Sequence, residues 1–350
     1  MTLLIHFGIY KAGSSYIQYI CANQRDYLID NSIYFPNSKQ DHLMLAGKIS
    51  RGNAYNLADS LKFKNNKNAY KCLKEWKDEA VNNNCTSVLL SSEDLVHYLA
   101  DANTINLFIE CIKKAGFTHI KAMGFFRDIV DHAISTYKHR AKTGKHPDYK
   151  YWVENNYETP SLLVKLFKNV EQHKESIKWN IRKFKKDSEY LKKSFFKDWL
   201  GINIPKFETL PNVNESVTLS EVKVLNHLKT AYPLVVDYFM EDLKALPKGK
   251  KAKDKYFDNY LATIFAIKLS NYNAQLSMLN QHFKEGEKLI LNSESTANKP
   301  LKEPEINLND KQLSLVIKNI KFFNTTHGKL ILLRRKAVFL FKKISKPFEH

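Results

Sequence analysis

Residues 2–7, TLLIHF, form an apolar run of strand length. The turn-rich GIYKAGSS that follows gives way to Ile17, Ile20, Cys21, Gln24 and Leu28 at three- and four-residue spacing. This pattern predicts a strand, a loop and a helix. A brief strand at 32–36 ends on Pro36, helical stretches run through about Val81, and TSVLL at 86–90 is a β-branched and leucine run ending on Ser91, Ser92 and Glu93. After a helix around 105–115 the alternation repeats, with HIKAMGFF at 119–126 as a strand and RDIVDHAISTYKHRAKTG as a helix with a glycine near its end. Strands alternating with helices in this way predict an α/β fold, a parallel β-sheet with flanking helices.

Beyond Lys145 the pattern is less regular and mainly helical. It predicts a strand at 177–184, a helix at 188–200 closed by Gly201, and long helices around 218–246 and 257–285. The Asn-, Ser-, Glu- and Pro-rich stretch 286–310 reads as a linker to a basic amphipathic C-terminal tail at 311–350. One domain is therefore expected over 1–285, with its core at 1–145 and 177–200 and helical elements at 146–176 and 201–285.

Composition adds a question about charge. With 43% hydrophobic and 12% aromatic residues in 350, the chain has enough apolar material for a substantial core, which excludes wholesale disorder. Its net charge of +19 is unevenly spread: 17 basic and 13 acidic residues lie up to Arg140, against 38 and 23 after it. Such an excess suits a polyanionic partner, whether nucleic acid, anionic lipid, acidic polysaccharide or a small nucleotide. Cys21, Cys72, Cys85 and Cys111 show neither CxxC pairing nor zinc-finger spacing, so neither a metal site nor a disulfide framework is expected. With no signal-peptide pattern and no apolar stretch of ~18 residues, a cytoplasmic location is expected.

The loop after the first strand carries the chemistry. Gly8-Ile9-Tyr10-Lys11-Ala12-Gly13-Ser14-Ser15 combines glycines, free amides at a helix start, two hydroxyls and a lysine, the parts of an anion cradle. A Gly-Ser stretch also serves simply to cap a helix. It is not the nucleoside-triphosphate loop GxxxxGK[ST], because Lys11 precedes the second glycine. Farther on, GFFRDIVDHAISTYKH sets Arg127 at a predicted strand end and Ser135 eight residues later.

HFGIYKAGSSYIQYI closely resembles the 5′-phosphosulfate loop of sulfotransferases, and Arg127 with Ser135 matches their 3′-phosphate pair. LLSSEDL at 89–95, VNESVTLS at 213–220 and SNYNAQL at 270–276 are similar to segments of bacterial carbohydrate-type sulfotransferases, so the resemblance spans roughly residues 3 to 285. It departs from the soluble small-molecule enzymes in lacking a convincing C-terminal Arg-Lys-Gly loop.

The resemblance implies a P-loop-like sulfotransferase fold and 3′-phosphoadenosine 5′-phosphosulfate as donor, held by Lys11, Ala12, Gly13, Ser14, Ser15, Arg127 and Ser135. It also implies a carbohydrate or lipid-linked glycan acceptor. Lys11 would stabilise the leaving phosphate, a role that needs no metal. Two residues at strand-to-loop transitions are candidate general bases, His42 and Glu93. Related carbohydrate enzymes draw the base from the first of these regions, which favours His42 as base and Glu93 as an acceptor-orienting group.

The tail segment KLILLRRKAVFLFKKISK at 329–346 suits either a helix on an anionic membrane surface, peripheral at the inner face, or packing on the domain with its charges in water. A nucleic-acid-binding protein would account for the charge, but no helix-turn-helix, zinc-finger or RRM signature accompanies it. A P-loop kinase or NTPase would share the sheet but lacks the glycine-lysine order and a clear Walker-B strand.

Overall fold

The computed structural model describes residues 1–141, 149–206, 217–231, 272–290 and 308–325, together with Asp242 and Gly328. In chain order the first elements are β1 (Thr2–Gly8), α1 (Ser14–Asn23), α2 (Arg25–Asp30), β2 (Ile33–Tyr34), α3 (Asp41–Leu45), α4 (Tyr55–Lys62) and α5 (Asn66–Asn82). Next are β3 (Ser87–Ser91), α6 (Leu95–Leu99), α7 (Ala102–Lys114), β4 (His119–Phe126), α8 (Ile129–Ala141), α9 (Tyr149–Asn155), α10 (Thr159–Gln172) and β5 (Lys178–Lys183). The described remainder is helical: α11 (Ser188–Lys192) running into a π-helical turn (Lys193–Leu200), then α12 (Leu219–Ala231), α13 (Tyr272–Asn280) and α14 (Asp310–Asn324).

The five strands form one parallel sheet in the order β2-β3-β1-β4-β5. β1 is central and buried along all but its first residue, which explains why it reads as an unbroken apolar run. Its alternate residues serve opposite faces. On one face Phe7 meets Phe126 and Trp179 at 6.0 and 5.9 Å, and Phe126 continues to Phe167 of α10 at 5.4 Å. On the other, the His6 ring lies 6.1 Å from Phe125 and 5.1 Å from Phe195 of the π-helical turn. Helices therefore cover both faces, and the connection leaving β1 runs to one side of the sheet while that leaving β4 runs to the other. The β1/β4 boundary is thus the topological switch point, whose carboxyl-end crevice is where such sheets bind ligands.

The sequence boundaries hold for β1, β3, β4 and β5 within one residue or so. Three details differ. The helix expected over 17–28 divides at Gln24, the strand at 32–36 is only the pair Ile33–Tyr34, and the helix at 188–200 changes pitch at Lys193 before ending on Gly201.

The chain divides into two compact units. The first unit comprises 1–132, 157–213 and 266–292, and holds the whole sheet. The linker expected from residue 286 instead stays with this unit as far as 290. Glu287 is buried against Arg182 of β5 in a bidentate pair at 2.8 and 2.8 Å, with Asp198 adding a contact at 3.2 Å. The Ile290 amide donates to Asp128 at 2.8 Å. Removing one partner of such a pair leaves a buried charge, so Glu287→Ala is expected to cost about 3 kcal/mol, the lower end for buried pairs because Asp198 remains. Urea titration should show a lower midpoint at unchanged slope.

The second unit comprises 133–156, 214–265 and 293–350. Tyr137, Tyr149 and Trp152 pack there with ring centroids 4.9 to 5.9 Å apart. Two capping boxes also meet: Thr218 and Glu221 close the start of α12, Asn309 and Gln312 close the start of α14, and the Gln312 amide donates to buried Glu221 at 2.8 Å. The basic tail is thus helical over 310–324, whereas the membrane-binding expectation for 329–346 lies outside the described residues. Among the described residues no helix is long and apolar enough to cross a membrane.

Candidate functional site

The loop between β1 and α1 has an unusual backbone. Lys11 sits at φ +65° and Gly13 at φ +89°, both left-handed. A β-carbon on Gly13 would also lie 3.0 Å from the Phe184 ring, so glycine is required there for both torsion and space. Lysine gains nothing from a left-handed torsion, and non-glycine residues held in it cluster at functional sites. The twist delivers α1 with neither a side-chain cap nor an acidic residue in its first turn, leaving the helix dipole to face whatever occupies the cradle. Ser14 is 3% exposed, and its hydroxyl is buried without a hydrogen bond of full geometry.

Three ionisable side chains surround this loop within the first unit. Lys11 is half-buried, and desolvation lowers its pKa; the charge of Arg127 lowers it further, while Glu93 acts in the opposite direction. Arg127 follows β4, is 9% exposed and lies over the Phe184 ring at 5.6 Å, with only a long contact of 3.8 Å to Asp131. Burial lowers its pKa too. Asp128, next to Arg127 in the sequence, forms its salt bridge with Lys183 at 2.8 Å. Two desolvated cations therefore stand at the carboxyl ends of adjacent strands at the switch point, each short of a full counterion, which is an arrangement suited to a polyanion.

Glu93 is the acidic counterpart. It follows β3, and desolvation raises its pKa to about 7, although the Ser14 hydroxyl and Lys11 both favour its charged form. A carboxylate with this pKa exchanges protons near neutrality, as a general base must.

A clip on the same edge was not read from the sequence. Arg51 grips Asp59 with both terminal nitrogens at 2.6 and 3.0 Å and Asp94 through Nε at 2.6 Å, while the Tyr10 hydroxyl donates to the other Asp94 oxygen at 2.6 Å. Gly52 allows the loop to lie against β3, since a β-carbon there would fall 1.9 Å from the Ser91 carbonyl oxygen. Behind it, Ser91 is held by His6, Gln18 and Asn53, with Ser50 donating to Gln18. Burial keeps this His6 neutral, its pKa lowered to about 3. The sequence signal was Arg51-Gly52 and, 43 residues from Arg51, Asp94 after Glu93, too ordinary to stand out.

Of the residues expected from the sequence, Lys11, Ala12, Gly13, Ser14, Ser15, Glu93 and Arg127 all lie in the first unit, with Lys11 in electrostatic contact with both Glu93 and Arg127. Ser135 is half-buried in α8, past the start of the second unit. His42 is not brought to this group. It lies exposed on α3, without a hydrogen bond or charge contact to Lys11, Glu93 or Arg127, beside an Asp41 that pairs with Arg25 at 2.9 Å. The first unit is thus a parallel α/β domain with Lys11, Arg127 and a near-neutral Glu93 at its switch edge. No family model, curated protein or solved structure matches the chain.

Proposed function

We propose that the chain is a sulfotransferase, moving a sulfuryl group from 3′-phosphoadenosine 5′-phosphosulfate to a hydroxyl or amine of a carbohydrate or glycolipid acceptor. The reading rests on Lys11 and Arg127, two desolvated and electrostatically coupled cations that follow adjacent strands, in the order and loop context that sulfotransferases share. The parallel sheet supports, at a finer level, a P-loop-like sulfotransferase fold.

On this reading the Ala12–Ser15 amides and the Ser14 hydroxyl, buried beside Glu93, cradle the 5′-phosphosulfate. Arg127 takes the 3′-phosphate. The acceptor oxygen attacks sulfur in line as the bond from sulfur to the 5′-phosphate oxygen breaks. The acceptor proton passes to a base, and the released electron pair stays on the phosphate oxygen, where Lys11 balances its charge. Glu93 takes the base role in place of His42, because it is the carboxylate whose pKa lies near 7 beside Lys11.

Adenosine 3′,5′-bisphosphate is expected to raise the melting temperature, and ATP with magnesium is not. The reverse ranking would replace this reading with a nucleoside-triphosphate enzyme. Arg127→Ala should weaken bisphosphate binding about 10- to 100-fold by calorimetry, the loss of a charge-assisted contact.

A further inference from the structure

The clip beside the cradle takes no part in the chemistry proposed above, yet it joins the two loops that carry that chemistry. Tyr10 immediately precedes Lys11 and Asp94 immediately follows Glu93. The Tyr10 hydroxyl donates to Asp94 Oδ1 at 2.6 Å, across 84 residues of sequence. Asp94 Oδ2 accepts from Arg51 Nε at 2.6 Å, and the two terminal nitrogens of Arg51 donate to the two oxygens of Asp59 in α4 at 3.0 and 2.6 Å. Each oxygen of both carboxylates and each nitrogen of the guanidinium therefore has a partner.

Isolated surface ion pairs hold little, but three observations set this one apart. Asp94 stands at the start of α6, where an aspartate ordinarily caps the helix amides, and its side chain makes no such bond. The carboxylate, 15% exposed, is turned to the clip instead. Arg51 does not reach in on a free arm, because Gly52 after it lies hard against the Ser91 carbonyl and ties the backbone that presents the guanidinium to β3. Tyr10 is held at both ends of its side chain: the ring lies 6.0 Å from that of His97 in α6, and burial, with the hydrogen bond to Asp94, raises the phenol pKa. The hydroxyl thus stays protonated and remains the donor.

What the clip holds is Lys11. A lysine at φ +65° persists only where its neighbours over-determine the backbone, and Gly13 on one side with the tethered Tyr10 on the other supply that constraint. At the far end of the tether stands Glu93, the carboxylate that Lys11 meets electrostatically. We infer that Tyr10 and Asp94 are positioning residues, whose hydrogen bond, braced by Arg51 and Asp59, sets Lys11 against Glu93. The inference deepens the sulfotransferase reading and rests on it for the effect on turnover, though not for the geometry.

The test uses the full chain and needs no substrate for its first arm. Urea titration at pH 8 of wild type, Lys11→Ala, Glu93→Gln and the double variant gives the coupling between the two side chains as a double-mutant cycle. In a Tyr10→Phe background, which removes one oxygen and keeps the ring, that coupling should be largely lost. Arg51→Lys, which keeps a charge but cannot fork between two carboxylates, should lose it too. Tyr34→Phe is the control, since its hydroxyl also donates to a carboxylate, that of Glu79 at 3.0 Å, from a strand that carries neither loop, and it should leave the coupling unchanged. In the second arm, with labelled donor, Tyr10→Phe should lower kcat about 10-fold, short of the ~10²-fold that a 1 Å misplacement can cost because Gly13 still turns the loop, with bisphosphate affinity within about twofold of wild type. Added to Lys11→Ala it should slow turnover little further, since it acts through the lysine. No coupling in the wild type, an unchanged coupling in Tyr10→Phe and Arg51→Lys, or an equal loss in Tyr34→Phe overturns the inference, as does a full additive loss of rate on Lys11→Ala. If the coupling is lost in Tyr10→Phe while the wild type neither binds bisphosphate nor releases it from labelled donor, the clip stands and the sulfotransferase reading falls. Wild-type coupling and rate in Tyr10→Phe of an active enzyme would leave that reading standing and remove the clip from it.

Discussion

Lys11→Ala is expected to lower kcat by about 10²–10³-fold, the usual loss when one preorganised group facing developing charge is removed. On the sulfotransferase reading, the charge on the bridging oxygen exists only as its bond to sulfur breaks, so Lys11 would interact more strongly with the transition state than with bound donor. Bisphosphate affinity should consequently change much less than the rate, the opposite of Arg127→Ala, whose phosphate is equally charged throughout. The local backbone sharpens the expectation. Lys11 is held left-handed at φ +65° and partly desolvated, both unfavourable in a resting protein and understandable if the ammonium has one fixed task. Release of bisphosphate from labelled donor, with acceptor or with water as acceptor, reads the rate. Wild-type turnover in Lys11→Ala would remove the residue from the chemistry. Lys11→Gly, which relieves the torsion without restoring the charge, should be as slow as Lys11→Ala.

The same loop shows which parts of the structure were legible in the sequence. Buried parallel strands must be apolar almost throughout, so TLLIHF and HIKAMGFF announce themselves, and with β1 and β4 fixed, Lys11 and Arg127 fall at strand ends without further information. Glu287 is the contrary case. It sits in polar text that reads as a solvated connector, yet its carboxylate is buried because Arg182 is. A buried ion pair leaves no periodic trace, since each partner looks like a surface residue until the other is placed. Arg51 and Asp94 were missed for the same reason, lying 43 residues apart and joined only by the fold.

His42 and Glu93 illustrate a different limit. Both follow strands, and sequence position treats them alike, but the pKa of a carboxylate is set by what surrounds it. β2 is only two residues long, so the chain beyond it wanders before α3 begins and leaves His42 in solvent. β3 lies inside the sheet between β2 and β1, and the residues after it emerge beside β1, which sets Glu93 against Ser14 and Lys11. Strand order, which a single sequence does not spell out, gives the two residues their different surroundings.

Glu93→Gln should therefore reduce turnover by about 10²–10⁴-fold, the range of general base catalysis, whereas His42→Ala should remain within about twofold of wild type. The wild-type rate should rise with pH through an inflection near the Glu93 pKa of about 7, and Glu93→Gln should lose that inflection. A stability measurement gives an independent check that needs no acceptor. The folded pKa of Glu93 is raised above its unfolded value by burial, so the unfolded chain releases the proton first as pH rises. Stability is fully present below the unfolded pKa and is lost progressively as pH climbs through about 7. Glutamine has no proton to release, so Glu93→Gln should melt higher than wild type at pH 8 and alongside it at pH 4. A variant that is slower yet more stable would mark Glu93 as held in a costly environment for its chemistry. Equal melting at both pH values would place its carboxyl in solvent, and a loss of rate confined to His42→Ala would return the base to α3.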